Sequence, residues 1–503
     1  MVSPAEGGMG RQIRGFFKDS SIYGLGLAFN RFISFLVLPI ITARLSPADL
    51  GVLTLLQVFA SVLGIFLNAG VQQAINRNYY DENTDEHRAA VVGTGLLWRF
   101  VLTAFIIGPL ALAAVPMTQV VMGNASHLSV VYYLLSLANV IIVAPQGIAY
   151  TLYRVRRQAS RNTFFNMTGS VLSLICMLWL ILWWPRGIRG ALEAAILANI
   201  GITLVMMPDL LRSAKLRLRK DVLRGILSYG LPLLPHHLAI YLLFGADRYF
   251  IEHYRTMTEV GLYSYAYRIG MIMNLVLDSA SLAWTPFIYS IQQRSDARTL
   301  HAVTARYSLA AIAGLAVPVA IFGDEFIRLL AFRSPAYWGA AVLVGWIVGG
   351  YVCLGVYQVF STAVGIPKRT RLLPIFSITG LVVNLVLNWV LVPPYGMTGA
   401  AIATLISYAC MATLTIAVAQ RVHRIPYEWR RLAVLPVAGL AAVGIGYLVP
   451  AWPFWPRMAA KALCVALFPA LTLLMGFLSE PEKRRIVGLA QRIAPAWRGG
   501  EPT

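Results

Sequence analysis

Residues 241–270 read YLLFGADRYFIEHYRTMTEVGLYSYAYRIG. The stretch opens as an apolar run of the kind that crosses a bilayer. Yet Asp247, Arg248, Glu252 and Arg268 sit in or beside it. Insertion scales put an arginine at the centre of a spanning helix at roughly +2.5 to +3.5 kcal/mol, so such charges are kept where they face a partner or a water-filled cavity. What surrounds this stretch decides the fold.

The chain has 503 residues, is 58% hydrophobic and only 13% charged, with mean hydropathy +0.68. Soluble domains carry about 25% charged residues. The composition therefore predicts an all-α integral membrane protein. The net charge of +21 is scattered between apolar runs and forms no single basic face, which argues against a nucleic-acid partner. Retention of Lys and Arg in loops on the cytoplasmic side explains it more simply. Cys176, Cys353, Cys410 and Cys464 lie far apart in apolar runs without metal-ligand or redox spacing, so no metal site is expected. The N-terminal stretch has no short apolar region ending in a cleavage site, which predicts no removable signal peptide.

A span needs roughly 20 apolar residues. About fourteen are predicted: 20–41, 49–70, 91–115, 128–150, 164–184, 190–210, 227–250, 260–292, 304–323, 338–363, 372–392, 398–420, 432–450 and 462–478. The eighth is too long for one straight span, and Pro286 is expected to mark a kink or an early end. With cytoplasmic termini, the inside segments hold about 30 Lys and Arg and the outside loops about 8, alternating loop by loop. The strongest anchor is LLRSAKLRLRKDVLRG, between spans six and seven. The tail SEPEKRRIVGLAQRI opens with Ser479 and Glu482 at capping-box spacing, and it reads either as an interfacial amphipathic helix or as a solvated tail.

Several fragments recur about 206 to 211 positions apart. YGLGL at Tyr23 matches YGLPL at Tyr229, DLGVL at Asp49 matches EVGLY at Glu259, TGSVLSL at Thr168 matches TGLVVNL at Thr379, and GIRGALEAA at Gly187 matches GMTGAAIAT at Gly396. The order and the near-constant offset predict six helices duplicated, entering the membrane from the same side as parallel repeats. The domains expected are an N-terminal lobe at 1–210, a basic linker at 211–226, a C-terminal lobe at 227–420, an extra helix pair at 421–478 and a cytoplasmic amphipathic tail at 479–503.

At this point the residues resemble a family. GADRYFIEHYRTMTEVGLYSYAYRIG, GIPKRTRLLPIFSITGLVVNLVLNWVLVPPYGMTGAAIATLISY and ITARLSPADLGVLTLLQVF are similar to the polysaccharide transporter family, which includes the O-antigen and exopolysaccharide flippases. Its superfamily also holds the multidrug and toxin extrusion transporters and the lipid II flippases. The resemblance covers most of residues 20–420. It implies two MATE-like six-helix lobes working by alternating access in a bacterial cytoplasmic membrane. The implied substrate is an undecaprenyl-diphosphate-linked oligosaccharide for O-antigen, capsule or exopolysaccharide synthesis. Membrane lipids, a polysaccharide polymerase and glycosyltransferases are the implied partners. The resemblance carries no invariant catalytic motif.

At about 1.5 Å per residue, Arg31 lies about 16 Å deep in the first span, and Arg99 and Arg268 about 12 Å deep in theirs. By the repeat, Asn30 and Arg31 correspond to His236 and His237. Arginine forks match phosphate oxygens bidentately. Arg31, Arg99 and Arg268, with Asn30, His236 and His237, are therefore expected to line a cationic path for a lipid diphosphate; the alternative is internal pairing that fixes helix packing. Asp247, Arg248 and Glu252 read chiefly as a structural cluster at a helix end, with Arg248 and Glu252 at pairing distance i, i+4. Asp278 either neutralises an arginine or carries a coupling proton. Tyr263, Tyr265, Tyr267, Tyr289, Trp284, Tyr351 and Tyr357 could stack on sugars but read mainly as helix packing or interfacial belts.

A flippase is the first functional reading. No GxxxxGKS or GxxxxGKT phosphate loop occurs, so no nucleotide cofactor is expected, and H+ or Na+ coupling or consumption of product must give direction. The first alternative is an ion-coupled antiporter of small organic molecules, whose cation site would be acidic and aromatic; the buried arginines argue against it. The second is a membrane-embedded glycan polymerase or ligase, which would want a large extracytoplasmic loop where short ones are predicted. The chain is therefore expected not to be an enzyme.

Overall fold

A computed structural model describes the backbone of residues 4–482 except 81, 83, 124–125, 293, 368 and 481. Side chains are described over the same residues except 4–21, 279–280, 282–283, 285–286, 289–290 and 370. Most of the predicted tail and the side chain of Tyr289 lie outside the described residues.

The described residues form helices and no strand. They begin with α1 (Pro4–Arg44), α2 (Pro47–Asn68), α3 (Val71–Asn78), α4 (Asp85–Leu112), α5 (Ala114–Met122) and α6 (His127–Val155). Next come α7 (Ala159–Met177), α8 (Gly187–Arg212), α9 (Lys220–Gly230), α10 (Leu234–Gly245), α11 (Asp247–Tyr254) and α12 (Met257–Gly270). The remainder are α13 (Ile272–Ser290), α14 (Ala297–Ile321), α15 (Gly323–Leu330), α16 (Ala341–Gly365), α17 (Leu373–Val422), α18 (Trp429–Tyr447) and α19 (Phe454–Leu474). Large apolar side chains such as Leu112, Trp183, Leu440 and Leu463 project outward fully exposed, as a lipid-facing surface requires.

Twelve helical segments among the described residues are long and apolar enough to cross a bilayer, against about fourteen predicted. Two features account for the difference. The predicted spans 372–392 and 398–420 both lie in α17, whose 50 residues are interrupted only at Gly396 (φ 55°, ψ −136°). There the chain folds back on itself: Asn384 Nδ2 donates to Thr404 Oγ1 at 3.4 Å, and Gly380 faces Met411. The predicted span 260–292 is broken into α12 and α13. The break falls at Met271, not at Pro286, which lies within α13. Within the expected linker 211–226, α8 runs to Arg212 and α9 begins at Lys220. Its non-helical part is strapped to α4, with Lys215 N donating to Ala89 O at 2.9 Å and Thr94 Oγ1 donating to Arg217 O at 3.2 Å.

The internal repeat is visible in the geometry. Ser46 caps α2 by accepting from Asp49 N, with Pro47 at the first turn; Thr256 caps α12 by accepting from Glu259 N. Gly187 and Gly396, each in the left-handed region, begin equivalent helices. Asn30 Oδ1 accepts from Ser170 Oγ at 2.8 Å between α1 and α7, and His236 Nδ1 meets Ser377 Oγ at 3.3 Å between α10 and α17. The two halves also touch reciprocally. A Cβ on Gly51 would lie 2.4 Å from Met257 O, and one on Gly261 would lie 1.7 Å from Pro47 O.

The turn at Gly396 is held from outside. Arg255 Nη2 donates to Pro394 O at 2.6 Å, and Met397 N donates to Glu259 Oε2 at 2.9 Å. A Cβ at Gly396 would sit 2.2 Å from that carboxylate oxygen. Gly396→Ala should thus lose both the left-handed backbone and the clamp. A destabilisation of at least about 1–3 kcal/mol is expected, read as a lower melting temperature of the purified chain.

Candidate functional site: a cationic cavity between the repeats

Arg31 and Arg268 line one cavity of about 560 Å³, bounded by α1, α2 and the α12–α13 break. Ser34 of α1 and Gln57 of α2 add polar atoms to an otherwise apolar wall that includes Phe32, Phe35 and Leu38. A second space of about 220 Å³ adjoins it between α2, α10, α11 and α12. Gln57, Arg268 and Met271 line both, and Arg248 closes the far wall. Arg31 and Arg268 thus line the larger space, Arg248 and Arg268 the smaller one beside it, and no carboxylate lines either among the described residues.

The three arginines are held differently. Arg248 is fixed: its Nη1 donates to Phe244 O at 2.7 Å, approaches Asp247 Oδ1 at 3.5 Å, and its guanidinium lies 5.3 and 4.7 Å from the ring centroids of Tyr263 and Tyr267. Arg31 is loosely paired with Asp278 at 3.8 Å, the two side chains being 35% and 50% exposed. Arg268 makes no hydrogen bond or ion pair with the described residues, although it faces the cavity from both sides.

Asp247 is fully buried. Its Oδ2 accepts from Tyr263 and from Thr404 at 3.2 Å, while Oδ1 has no hydrogen-bond partner. Behind it, Asn388 Nδ2 donates to Asn384 Oδ1 at 3.0 Å. Arg248 therefore pairs with Asp247, not with Glu252 as the i, i+4 spacing suggested. Glu252 instead lies against the left-handed Gly123, where a Cβ would be 2.0 Å from Oε1. Removing one partner of a buried ion pair costs about 3–5 kcal/mol. Asp247→Asn should lower the melting temperature sharply, and Asp247→Asn combined with Arg248→Met should recover much of the loss.

The remaining expected cavity residues lie elsewhere. Arg99 is buried on α4 and donates from Nη1 to Asn68 Oδ1 at 3.4 Å, outside the cavity. His237 receives Gln73 Nε2 at 3.2 Å, and His236 and Asn30 tie neighbouring helices together as described above. The depth estimate placed these residues along the membrane normal but not around the helix axis, so it could not tell cavity from packing interface. Of the aromatic residues, Tyr263, Tyr265, Tyr351 and Trp284 are buried in helix packing, while Tyr267, also buried, lines the smaller space. Gln57 was missed; the signal was a single amide in the apolar run LTLLQVFASVLG.

One end of the bundle is closed. Thr42 Oγ1 donates to Leu330 O at 3.1 Å, Tyr337 Oη donates to Leu45 O at 3.0 Å, and the Gly51–Gly261 contact seals α2 against α12. At the opposite end α3 meets α9, with Gly70 against Gly230 and the Arg77 guanidinium 4.9 Å from the Tyr229 ring. Further round the bundle, two acid clusters tie the last helices down. Lys461 Nζ donates to Glu325 at 2.7 Å, and buried Arg306 pairs with Glu428 at 2.5 Å and with Glu482. Burial pushes the Glu482 carboxyl up, but hydrogen bonds from Ser479 and Tyr307 and the charge of Arg306 hold it at about 2.

The described residues form a multi-pass helical bundle with twelve segments long and apolar enough to cross a bilayer. A family model for "Polysaccharide biosynthesis protein" matches residues 16–292, more than half of the sequence, and the chain belongs to that family. Among curated proteins it is 24% identical over 293 residues to Lsg locus putative protein 1 of Haemophilus influenzae, covering 57% of this chain and 69% of the relative. It is 27% identical over 181 residues to the probable flippase AglR of Haloferax volcanii, covering 34% of this chain and 36% of that protein. The fold is similar to that of the lipid II flippase MurJ in an inward closed conformation, with TM-score 0.75 and 11% identity over 90% of this chain and 98% of that one. It is also similar to an inward-facing multidrug resistance MATE family transporter, with TM-score 0.65 and 16% identity over 83% of this chain and 99% of that one.

Proposed function

We propose that the chain is a flippase that carries a lipid-linked oligosaccharide, joined through undecaprenyl diphosphate, across the bacterial cytoplasmic membrane for O-antigen, capsule or exopolysaccharide synthesis. The observation that carries this reading is the pair of adjoining spaces lined by Arg31, Arg248 and Arg268, with Arg268 in both and no lining carboxylate among the described residues. A diphosphate brings concentrated negative charge and acceptor oxygens to such a wall. The glycan needs a polar passage, and Gln57 and Ser34 supply neutral hydrogen-bonding groups beside the arginines. Relatives named as probable flippases support a flippase reading.

With the termini on the cytoplasmic side, the closed end bearing Leu45 and Tyr337 faces outward, and the cavity awaits substrate from within. The two repeats then form the lobes that rock, hinged at the 213–219 connection. A cationic wall is a poor site for an organic cation, so the antiporter reading is disfavoured. The test is reconstitution in proteoliposomes holding labelled undecaprenyl-diphosphate oligosaccharide. Glycan exposure on the far leaflet that depends on the protein supports the reading. Transport of a cationic dye with no movement of glycan would replace it by the antiporter.

A further inference from the structure

We propose that Arg99 holds a second, separate site that binds a small anion of the halide type. Arg99 is 7% exposed, and no carboxylate pairs with it among the described residues. Among the described residues its Nε has no hydrogen-bond partner, and its one bond goes to Asn68 Oδ1 at 3.4 Å. A buried cation without a counter-charge is costly unless an anion accompanies it.

The surroundings are rich in donors. The same Asn68 oxygen accepts from Gln72 N at 3.4 Å, so the guanidinium and the first turn of α3 converge on one acceptor. Gly70, left-handed at the N-cap of α3, offers no side-chain cap. At that positive end Asn68 Oδ1 takes the Gln72 amide and lies beside the guanidinium. A Cβ on Gly147 of α6 would lie 2.2 Å from Gln72 Nε2 and 3.9 Å from Arg99 Nη1, so α6 closes the space tightly. Such crowding suits a single-atom anion and excludes a diphosphate.

The site also reaches the other repeat. Asn68 Nδ2 donates to Gln73 Oε1 at 3.1 Å, and Gln73 Nε2 donates to His237 Nε2 at 3.2 Å on α10. An anion at Arg99 would neutralise the charge behind this chain of amides and steady the seam where Gly70 meets Gly230. Occupancy thereby links anion concentration to how firmly that end of the bundle is held.

The test uses the full chain in detergent, with chloride or bromide titrated against gluconate at constant ionic strength. The melting temperature of the wild type should rise by at least about 2 °C with either halide. Arg99→Gln should abolish the rise and Arg268→Ala should keep it. No halide effect on the wild type, an undiminished effect in Arg99→Gln, or an equal effect from sulfate would each overturn the proposal. Should Arg99→Gln fail to fold, bromide-soaked crystals of the wild type decide. An anomalous peak within about 4 Å of the Arg99 guanidinium supports the site, and bromide density only elsewhere refutes it.

Discussion

Arg268→Ala should reduce glycan translocation in proteoliposomes by at least about a hundredfold, while the purified protein keeps its melting temperature. The expectation rests on an asymmetry among the three cavity arginines. Arg248 is bound up with Phe244, Asp247 and two tyrosine rings, and Arg31 has Asp278 at 3.8 Å. Arg268 has no such partner among the described residues and lines both parts of the cavity. A hydrogen bond to a charged group is worth about 1.5–3 kcal/mol, and a bidentate fork makes two. Loss of a fork thus corresponds to roughly two or more powers of ten in binding. Arg268→Lys keeps the charge but not the planar fork, so it should recover only part of the activity. Arg31→Ala should be milder, because the charge of Arg31 is already partly neutralised by Asp278 at 3.8 Å. Full transport by Arg268→Ala would show that the diphosphate does not pass this residue.

Gly261→Val should open the sealed end of the bundle. Even one added carbon would lie 1.7 Å from Pro47 O, and the neighbour is backbone, which cannot swing aside. The reciprocal contact of Gly51 with Met257 O lies in the same seam, so α2 and α12 must separate there together. Transport by alternating access requires this end to close as well as open. The variant should therefore be inserted and folded yet nearly inactive, and a cysteine placed at Ser264 should label from that side at least about tenfold faster than in the parent. Labelling at the parent rate with normal transport would mean that the Gly51–Gly261 contact is not a gate.

How far the sequence reached follows from what kind of information each feature needs. Apolar length and loop charge are read along one dimension, and they located nearly every helix. The duplication was also legible, because it demands the same local chemistry twice: a hydroxyl cap at Ser46 and Thr256, and a left-handed glycine at Gly187 and Gly396. The break at Met271 carried no proline to announce it, whereas α13 runs on past Pro286. The doubled helix around Gly396 retains helical geometry at every other residue, so it reads as two spans by composition and one by dihedral angle.

The site was legible in part. Arg31 and Arg268 stand out as charges within apolar runs, and they do share a cavity. Arg99 shows the same local signal and lies elsewhere, because rotation about the helix axis depends on partners that only the packed bundle supplies. Arg248 read as a helix-end charge, yet its neighbours Tyr263 and Tyr267 come from the next helix and turn it into part of the cavity wall. Arg306 and Lys461 were not singled out at all. Their acids, Glu428, Glu482 and Glu325, are distant in sequence, and no spacing rule joins them.

The most direct measurement is a structure of the protein in lipid nanodiscs with undecaprenyl diphosphate bound. The diphosphate should sit between α1, α2 and α12, with a phosphate oxygen about 3 Å from the Arg268 guanidinium and the prenyl chain leaving the cavity toward lipid. Diphosphate density outside the bundle, with the cavity holding only water, would contradict the account.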